Sequence, residues 1–163
     1  MFANSKTTSI NYGKFDTSNV VDMSCMFCNT SFTYINSVGF DTKKVTNMSY
    51  MFYNSKYTDN LYLSNFDTTN VVDMSYMFYG AASNTINISS FSFYDVVDMS
   101  YMFANSTTQF LYFVYDIPDG SVFDSMFEDC TIDTVYLPSY INNSNFTKDV
   151  TKYPDTMRFT VIV

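Results

Sequence analysis

Histidine and tryptophan are absent from this 163-residue chain, and charged residues make up only 15% of it. Without histidine there is no Ser-His-Asp or Cys-His set, and the commonest general base is missing. A tetrahedral zinc site needs four ligands, and three cysteines with no histidine do not supply a matching second pair. Eight Lys and Arg stand against sixteen Asp and Glu, for a net charge of −8. That balance excludes non-specific nucleic-acid binding, which needs clustered cations to displace counterions. It equally disfavours docking on anionic lipid. No run of 18 apolar residues is present, so no helix is expected to span or insert into a membrane. The opening segment, Met1 to Lys6, has no basic stretch followed by an apolar one, so it does not read as a secretory signal.

What the chain has instead is repetition. Met-Phe recurs at 1–2, 26–27, 51–52, 77–78, 102–103 and 126–127, in steps of 25, 25, 26, 25 and 24 residues. The flanks recur as well, as Asp22-Met-Ser-Cys-Met-Phe27, Asn47-Met-Ser-Tyr-Met-Phe52, Asp73-Met-Ser-Tyr-Met-Phe78 and Asp98-Met-Ser-Tyr-Met-Phe103. A fixed period of this size predicts a stacked-repeat solenoid in which no coil buries its apolar face alone. Met1-Phe-Ala-Asn-Ser5 matches Met102-Phe-Ala-Asn-Ser106, so the chain opens inside a repeat. Either further repeats and a signal lie outside it, or the first turn is capped by a partner.

Within one repeat, alternating apolar residues predict a short strand with one buried face: Leu61 and Leu63, Ile86 and Ile88, Leu111 and Phe113, Val135 and Leu137. Phe15-Asp16-Thr17 and its copies at 40–42 and 66–68 follow, with turn-forming Asp and Thr. Val20, Met23, Met26 and Phe27 then fall at the spacing of one helical face. This predicts one or two α or 3₁₀ turns near 22–28, too short to stand without stacking. Asn29, Asn54, Gly80, Asn105 and Asp129 tolerate the left-handed conformation and read as helix C-caps. The next slot is always small (Ser5, Thr30, Ser55, Ala81, Ser106, Cys130), which lets coils approach closely. Phe27, Phe52, Phe78, Phe103 and Phe127, with Met23, Met48, Met74 and Met99, are the expected core, methionine being an adaptable filler. About six coils at roughly 4.8 Å would make a rod about 29 Å long. The fold class is thus an α/β, β-rich solenoid, with residues 1–137 as repeats and 138–163 as a C-terminal loop and strand.

The motif Phe-Asp-Thr-x-Asn-Val-x-Asp-Met-Ser-x-Met-Phe at 15–27 and 66–78 resembles the roughly 25-residue repeat of bacterial surface proteins, common in lipoproteins and wall-anchored proteins of low-GC Gram-positives and mycoplasmas. It looks like a variant of the BspA-type leucine-rich repeat, whose Cys slot matches Cys130 in Met126-Phe-Glu-Asp-Cys130. The resemblance covers residues 1 to about 137. It implies a right-handed, leucine-rich-repeat-like stack at a cell surface or outside the cell, acting in adhesion or host contact without catalysis. Such repeats also occur in viral and phage proteins, so a virion component is the alternative.

Candidate sites sort by whether they recur. Asp16, Asp41 and Asp67, and again Asp22, Asp73 and Asp98, return in register and so belong to the fold rather than to one active site. Like charges one coil apart repel. Turn N–H bonds would offset that, as would bridging Ca²⁺. Asn47 and the Tyr94-Asp95 pair interrupt the ladders, which favours capping, and no other cofactor is expected. Cys25-x-x-Cys28 has the spacing of a metal or redox site, yet both residues hold slots occupied by Tyr50 and Tyr53 one turn on. Cys130, about 19 Å away along the stack, is too far to bridge to either.

The irregular strand positions are the better binding candidates. Asn11, Asn36, Tyr62, Asn87, Tyr112 and Tyr136 face outward, with Phe110 joining Tyr112. They make either a contact face for a host or neighbouring protein or glycan, or a row of strand-favouring residues that stack on one another. A second column, Tyr50, Tyr76 and Tyr101, reads as surface stacking. From Pro138 the repeat dissolves into a polar stretch with a loop at 142–145. Met157–Val163 is β-branched and apolar, and either seals the last coil or pairs with another chain in self-assembly.

Overall fold

The computed structural model describes residues 1–8, 15–35, 37–113, 120–138 and 157–162. Its strands are β1 (Ser31–Phe32), β2 (Lys56–Tyr57), β3 (Leu61–Tyr62), β4 (Ala82–Asn87), β5 (Thr107–Tyr112), β6 (Thr131–Pro138) and β7 (Arg158–Ile162). All pair in parallel in the order β1-β2-β4-β5-β6-β7, with β3 also beside β4. Each strand returns beside its predecessor after one circuit, so equivalent residues of successive repeats sit side by side. Leu61, Ile86, Leu111 and Val135 pair in one inward row, all fully buried. Ser37 breaks the inward pattern in its repeat. It is buried, opens the 3₁₀ turn Ser37–Gly39, and its hydroxyl donates to Tyr62 O at 3.2 Å.

The architecture is a parallel β-solenoid of about four turns, not six. A Met-Phe pair marks one corner of a coil, and the outermost corners do not bring whole circuits with them.

The expected helical turns are absent, and the corner shows why. The N–H groups of Met23, Cys25, Phe27 and Asn29 donate to Asn47 O, Ser49 O, Met51 O and Tyr53 O of the next coil, at 2.8–3.0 Å. A helix would spend these donors on its own chain. Met26 N–H and Cys28 N–H instead close four-residue turns onto Met23 O and Cys25 O. To aim alternate peptides along the stack, the chain passes through the left-handed region twice per corner, at Cys25 and Asn29, Tyr50 and Asn54, Tyr76 and Gly80, Tyr101 and Asn105, Ser125 and Asp129. The residues expected as helix caps therefore are left-handed, but they end a run of turns rather than a helix. Tyrosine in this region costs roughly 1–2 kcal/mol, which the interlayer hydrogen bond and ring stacking offset.

The core is a column of phenylalanines. Phe2, Phe27, Phe52, Phe78, Phe103 and Phe127 stack in near-parallel pairs 5.2–5.6 Å apart. Met23, Met48, Met74 and Met99 are buried beside them. A second ladder explains the Phe-Asp-Thr motif. The buried Thr17 hydroxyl donates to Asp41 O and accepts from Asp41 N–H, and Thr42 does the same to Asp67, and Thr68 to Ser92, all at 2.8–3.0 Å. Each threonine thus satisfies both backbone groups of a residue in the next coil, where no strand ladder runs. The small slot does more than allow close approach: Thr30 and Ser55 hydroxyls donate to Phe27 O and Phe52 O at 2.6 Å, closing the corner.

Candidate functional site

The outer face of the sheet lines up Tyr62, Asn87, Tyr112, Tyr136 and Thr160 as paired neighbours on successive rungs. Alternation along each strand turns these side chains outward while Ile86, Leu111 and Val135 face the core. One rung pair is aromatic. Tyr112 and Tyr136 stack at 4.6 Å, and Phe110 lies 6.0 Å from Tyr136 at a tilted angle. All three are half-buried. Phe110 joins this face because the strand bends one residue earlier: Gln109 and Phe110 both lack the burial of Thr108 and Leu111. The Thr108 hydroxyl lies within hydrogen-bond reach of Asn84 O on the previous rung and of Phe110 O, with one proton shared between them.

The other predicted positions do not join the cluster. Tyr62 is half exposed, two rungs away, and its hydroxyl accepts from Asn60 Nδ2 at 3.0 Å. Asn87 Oδ1 accepts the Ser89 N–H at 3.0 Å and so serves a turn. Asn36, Asn11, the loop at 142–145 and Val163 lie outside the described residues.

A larger aromatic array lies on the corner. Tyr50, Tyr76 and Tyr101 stack at 4.8 Å, and Tyr53 and Tyr79 form a parallel column at 5.1 Å, tilted 5.5–5.6 Å from the first. Only the first column was expected from the sequence; the recurring pairs Tyr50/Tyr53 and Tyr76/Tyr79 carried the signal for the second. Burial and the neighbouring phenols raise the Tyr76 phenol above its ordinary value, with Asp98 adding to the effect. Because the rings cover one another's faces, the array offers edges and hydroxyls rather than open aromatic platforms. In the first full coil the same two slots are filled by a Cys25–Cys28 disulfide, Cα–Cα 4.8 Å, a pairing the sequence reading did not foresee. Cys130 is free and buried, and burial pushes its thiol up to about 12.

The acids are used as turn caps. Asp22, Asn47, Asp73 and Asp98 each accept the N–H of the serine two residues on, at 2.7–2.9 Å. Asp16, Asp41 and Asp67 do the same for Ser18, Lys43 and Thr69. The Ser18 hydroxyl and N–H hold the Asp16 carboxyl below its usual value, helped by Lys44. Thr69 and Lys43 do so for Asp67. Among the described residues no three His, Cys, Asp or Glu converge as a metal would require, and no helix is long and apolar enough to cross a membrane.

Fold and site together define a tandem-repeat parallel β-solenoid whose recurring side chains are consumed by the stack and whose sheet carries one aromatic cluster outward. A family model described as "Mycoplasma protein of unknown function, DUF285" matches residues 1–111 and again 26–153, the second match starting one repeat later. The chain belongs to this family. No curated protein and no solved structure matches it.

Proposed function

We propose that this chain is a non-enzymatic repeat protein, displayed at a cell surface or outside the cell, that binds a host or neighbouring protein or glycan through its sheet face. The observation that supports this reading is the Phe110, Tyr112 and Tyr136 cluster. It breaks the repeat pattern, stands half-buried on the outer face of a regular ladder, and supplies contact area at low entropic cost. The resemblance to BspA-type surface repeats points the same way. The recurring carboxylates are committed to backbone N–H groups, which supports a binding rather than a catalytic role. The test is capture of the labelled full chain on immobilised glycans and extracellular matrix proteins. Tyr112→Ala should preserve the far-UV circular dichroism spectrum and weaken capture by about 30-fold, the scale of an aromatic hot spot. Unchanged capture would refute the sheet-face reading.

A second reading, a structural component of a virion or other assembly, is favoured by β7. This strand extends the sheet beyond β6, outside the Met-Phe repeats, and Val161 on it is 57% exposed. Deleting 157–163 and measuring mass by sedimentation separates the readings: an oligomer that becomes a monomer supports assembly.

A further inference from the structure

Five phenols meet on the corner face. Tyr76 stacks between Tyr50 and Tyr101 at 4.8 Å on each side, with Tyr79 tilted 5.6 Å from it. Tyr53 completes the array, 5.5 Å from Tyr50 and 5.1 Å from Tyr79. Tyr50 is 39% exposed, and the other four are half-buried. A ring flanked by parallel electron-rich faces loses an electron more readily than an isolated one, because those faces stabilise the positive charge. Side chains that would compete for oxidant are shielded. The nine methionines from Met23 to Met126 are at most 6% exposed. Cys25 and Cys28 are already joined. Cys130 is buried with its thiol pushed up to about 12, so it holds almost no reactive thiolate at neutral pH. The array is therefore both the best one-electron donor on the surface and the least protected.

Its spacing also suits a bond between rings. Tyr50 and Tyr76 lie parallel within 3° at 4.8 Å, held there by the backbone ladder, as in Tyr50 N–H to Ser75 O. Turning both rings about χ2, a soft torsion for tyrosine, brings the carbons beside the hydroxyls edge to edge, at a centroid separation already close to that of a biaryl. Tyr112 and Tyr136 are as close, at 4.6 Å, but their neighbour is Phe110 and not a further phenol. That pair gathers oxidising equivalents less well than an array in which a radical formed on any ring has another phenol beside it.

We propose that the corner array is a dityrosine-forming modification site, at which hydrogen peroxide acting through a haem peroxidase joins Tyr50 to Tyr76. Each phenol gives up one electron and its hydroxyl proton, leaving two phenoxyl radicals. These couple through the ring carbons beside the oxygens. The two hydrogens displaced from those carbons move to the oxygens and restore both phenols. The two electrons and two protons released reduce one hydrogen peroxide to two water molecules. The link ties two successive coils covalently across 26 residues of sequence, which restricts the unfolded chain and fastens the stack. The sheet-face reading is independent of this one.

The test treats the full folded chain, at low concentration, with a haem peroxidase and equimolar hydrogen peroxide, followed by trypsin and mass spectrometry. Trypsin cuts after Lys44, Lys56 and Lys148, so Tyr50 falls in peptide 45–56 and Tyr76 in peptide 57–148. The expected product is a monomer lighter by two hydrogens, with the blue fluorescence of dityrosine. Its two peptides are joined, and fragmentation places the link on Tyr50 and Tyr76. Tyr50→Phe and Tyr76→Phe should each abolish this product with an unchanged far-UV circular dichroism spectrum, since phenylalanine keeps the ring stack and lacks the phenol. Tyr112→Phe should leave the product in place. The linked chain should unfold at a higher urea concentration than the untreated one. The proposal is overturned by a lack of dityrosine, by links only within peptide 45–56, only between Tyr112 and Tyr136 or only in covalent dimers, by persistence of the product in Tyr76→Phe, or by an unchanged urea midpoint.

Discussion

Replacing Phe78 by alanine tests the shared core most directly. Its ring has no solvent exposure and lies between Phe52 at 5.4 Å and Phe103 at 5.2 Å, with interplanar angles of 7° and 4°. Truncating a buried phenylalanine costs about 3–5 kcal/mol, the upper part of that range applying where the site does not collapse. Here collapse is resisted, because the coils above and below are held at their spacing by backbone bonds on both sides of the ring, such as Phe52 N–H to Met77 O and Phe78 N–H to Met102 O. A loss of about 4 kcal/mol is expected, a large share of the 5–15 kcal/mol available to a domain. Phe2 is the internal control. It stacks on Phe27 alone within the column and is half-exposed, so Phe2→Ala should cost about 1–2 kcal/mol. Urea unfolding gives both values, and hydrogen exchange shows where protection is lost. For Phe78→Ala, protection should fall together in the corners at 48–55, 74–81 and 99–106, because coil stability is shared between nearest neighbours. Equal costs at Phe2 and Phe78, or lost protection confined to the substituted coil, would refute the shared-core argument.

Three further outcomes follow from the ladders. Thr42→Val keeps the shape of the side chain but strips both backbone groups of Asp67 of their 2.8 Å partner, and should cost about 1–3 kcal/mol in urea unfolding. Gly80→Val should destabilise by at least about 1 kcal/mol, since φ is +63° there and a Cβ would run into Asn54 Oδ1. Asp16 and Asp67 have folded pKa values depressed below 3.8, so each contributes stability that is full above that value and is lost as pH falls through the folded one. The double variant Asp16→Asn, Asp67→Asn should therefore match the parent at pH 7, asparagine being an equal acceptor, and lose less stability than the parent as pH falls below 3.8.

The period, the stacked strands and the identity of the core were legible because burial selects the same residue at the same slot in every coil. Phe27, Phe52, Phe78, Phe103 and Phe127 are all at most 2% exposed. The corner was misread for a physical reason. Apolar residues at i, i+3, i+6 and i+7 keep one face inward in a helix, but so does a run of overlapping four-residue turns that passes through the left-handed region at two positions four apart. Periodicity reports which side is buried, not where the N–H groups point. The asparagine column gave the clue, and Cys25, Tyr50, Tyr76, Tyr101 and Ser125 hid its companion, because tyrosine is not expected at positive φ. The disulfide was passed over because Cys25 and Cys28 hold slots that carry Tyr50 and Tyr53 one coil on, although residues three apart in a turn lie within bridging distance, here 4.8 Å between Cα atoms.

The same bookkeeping separates architecture from recognition. Thr17, Thr42 and Thr68 make the same pair of bonds coil after coil, and Asp22, Asn47, Asp73 and Asp98 each accept the same serine N–H. A side chain that makes an identical bond on every rung has its polar atoms occupied and presents no feature by which one ligand differs from another. The row Tyr62, Asn87, Tyr112, Tyr136, Thr160 is in register but changes identity at three of its four steps. Backbone pairing holds those positions at fixed spacing regardless of what they carry, so their side chains are free to vary without cost to the stack. Asn87 is drawn back into a turn, and Tyr62 stands apart. What remains is the Phe110, Tyr112 and Tyr136 surface, the contact face proposed above: the ladder beneath it is regular, and the residues upon it are not.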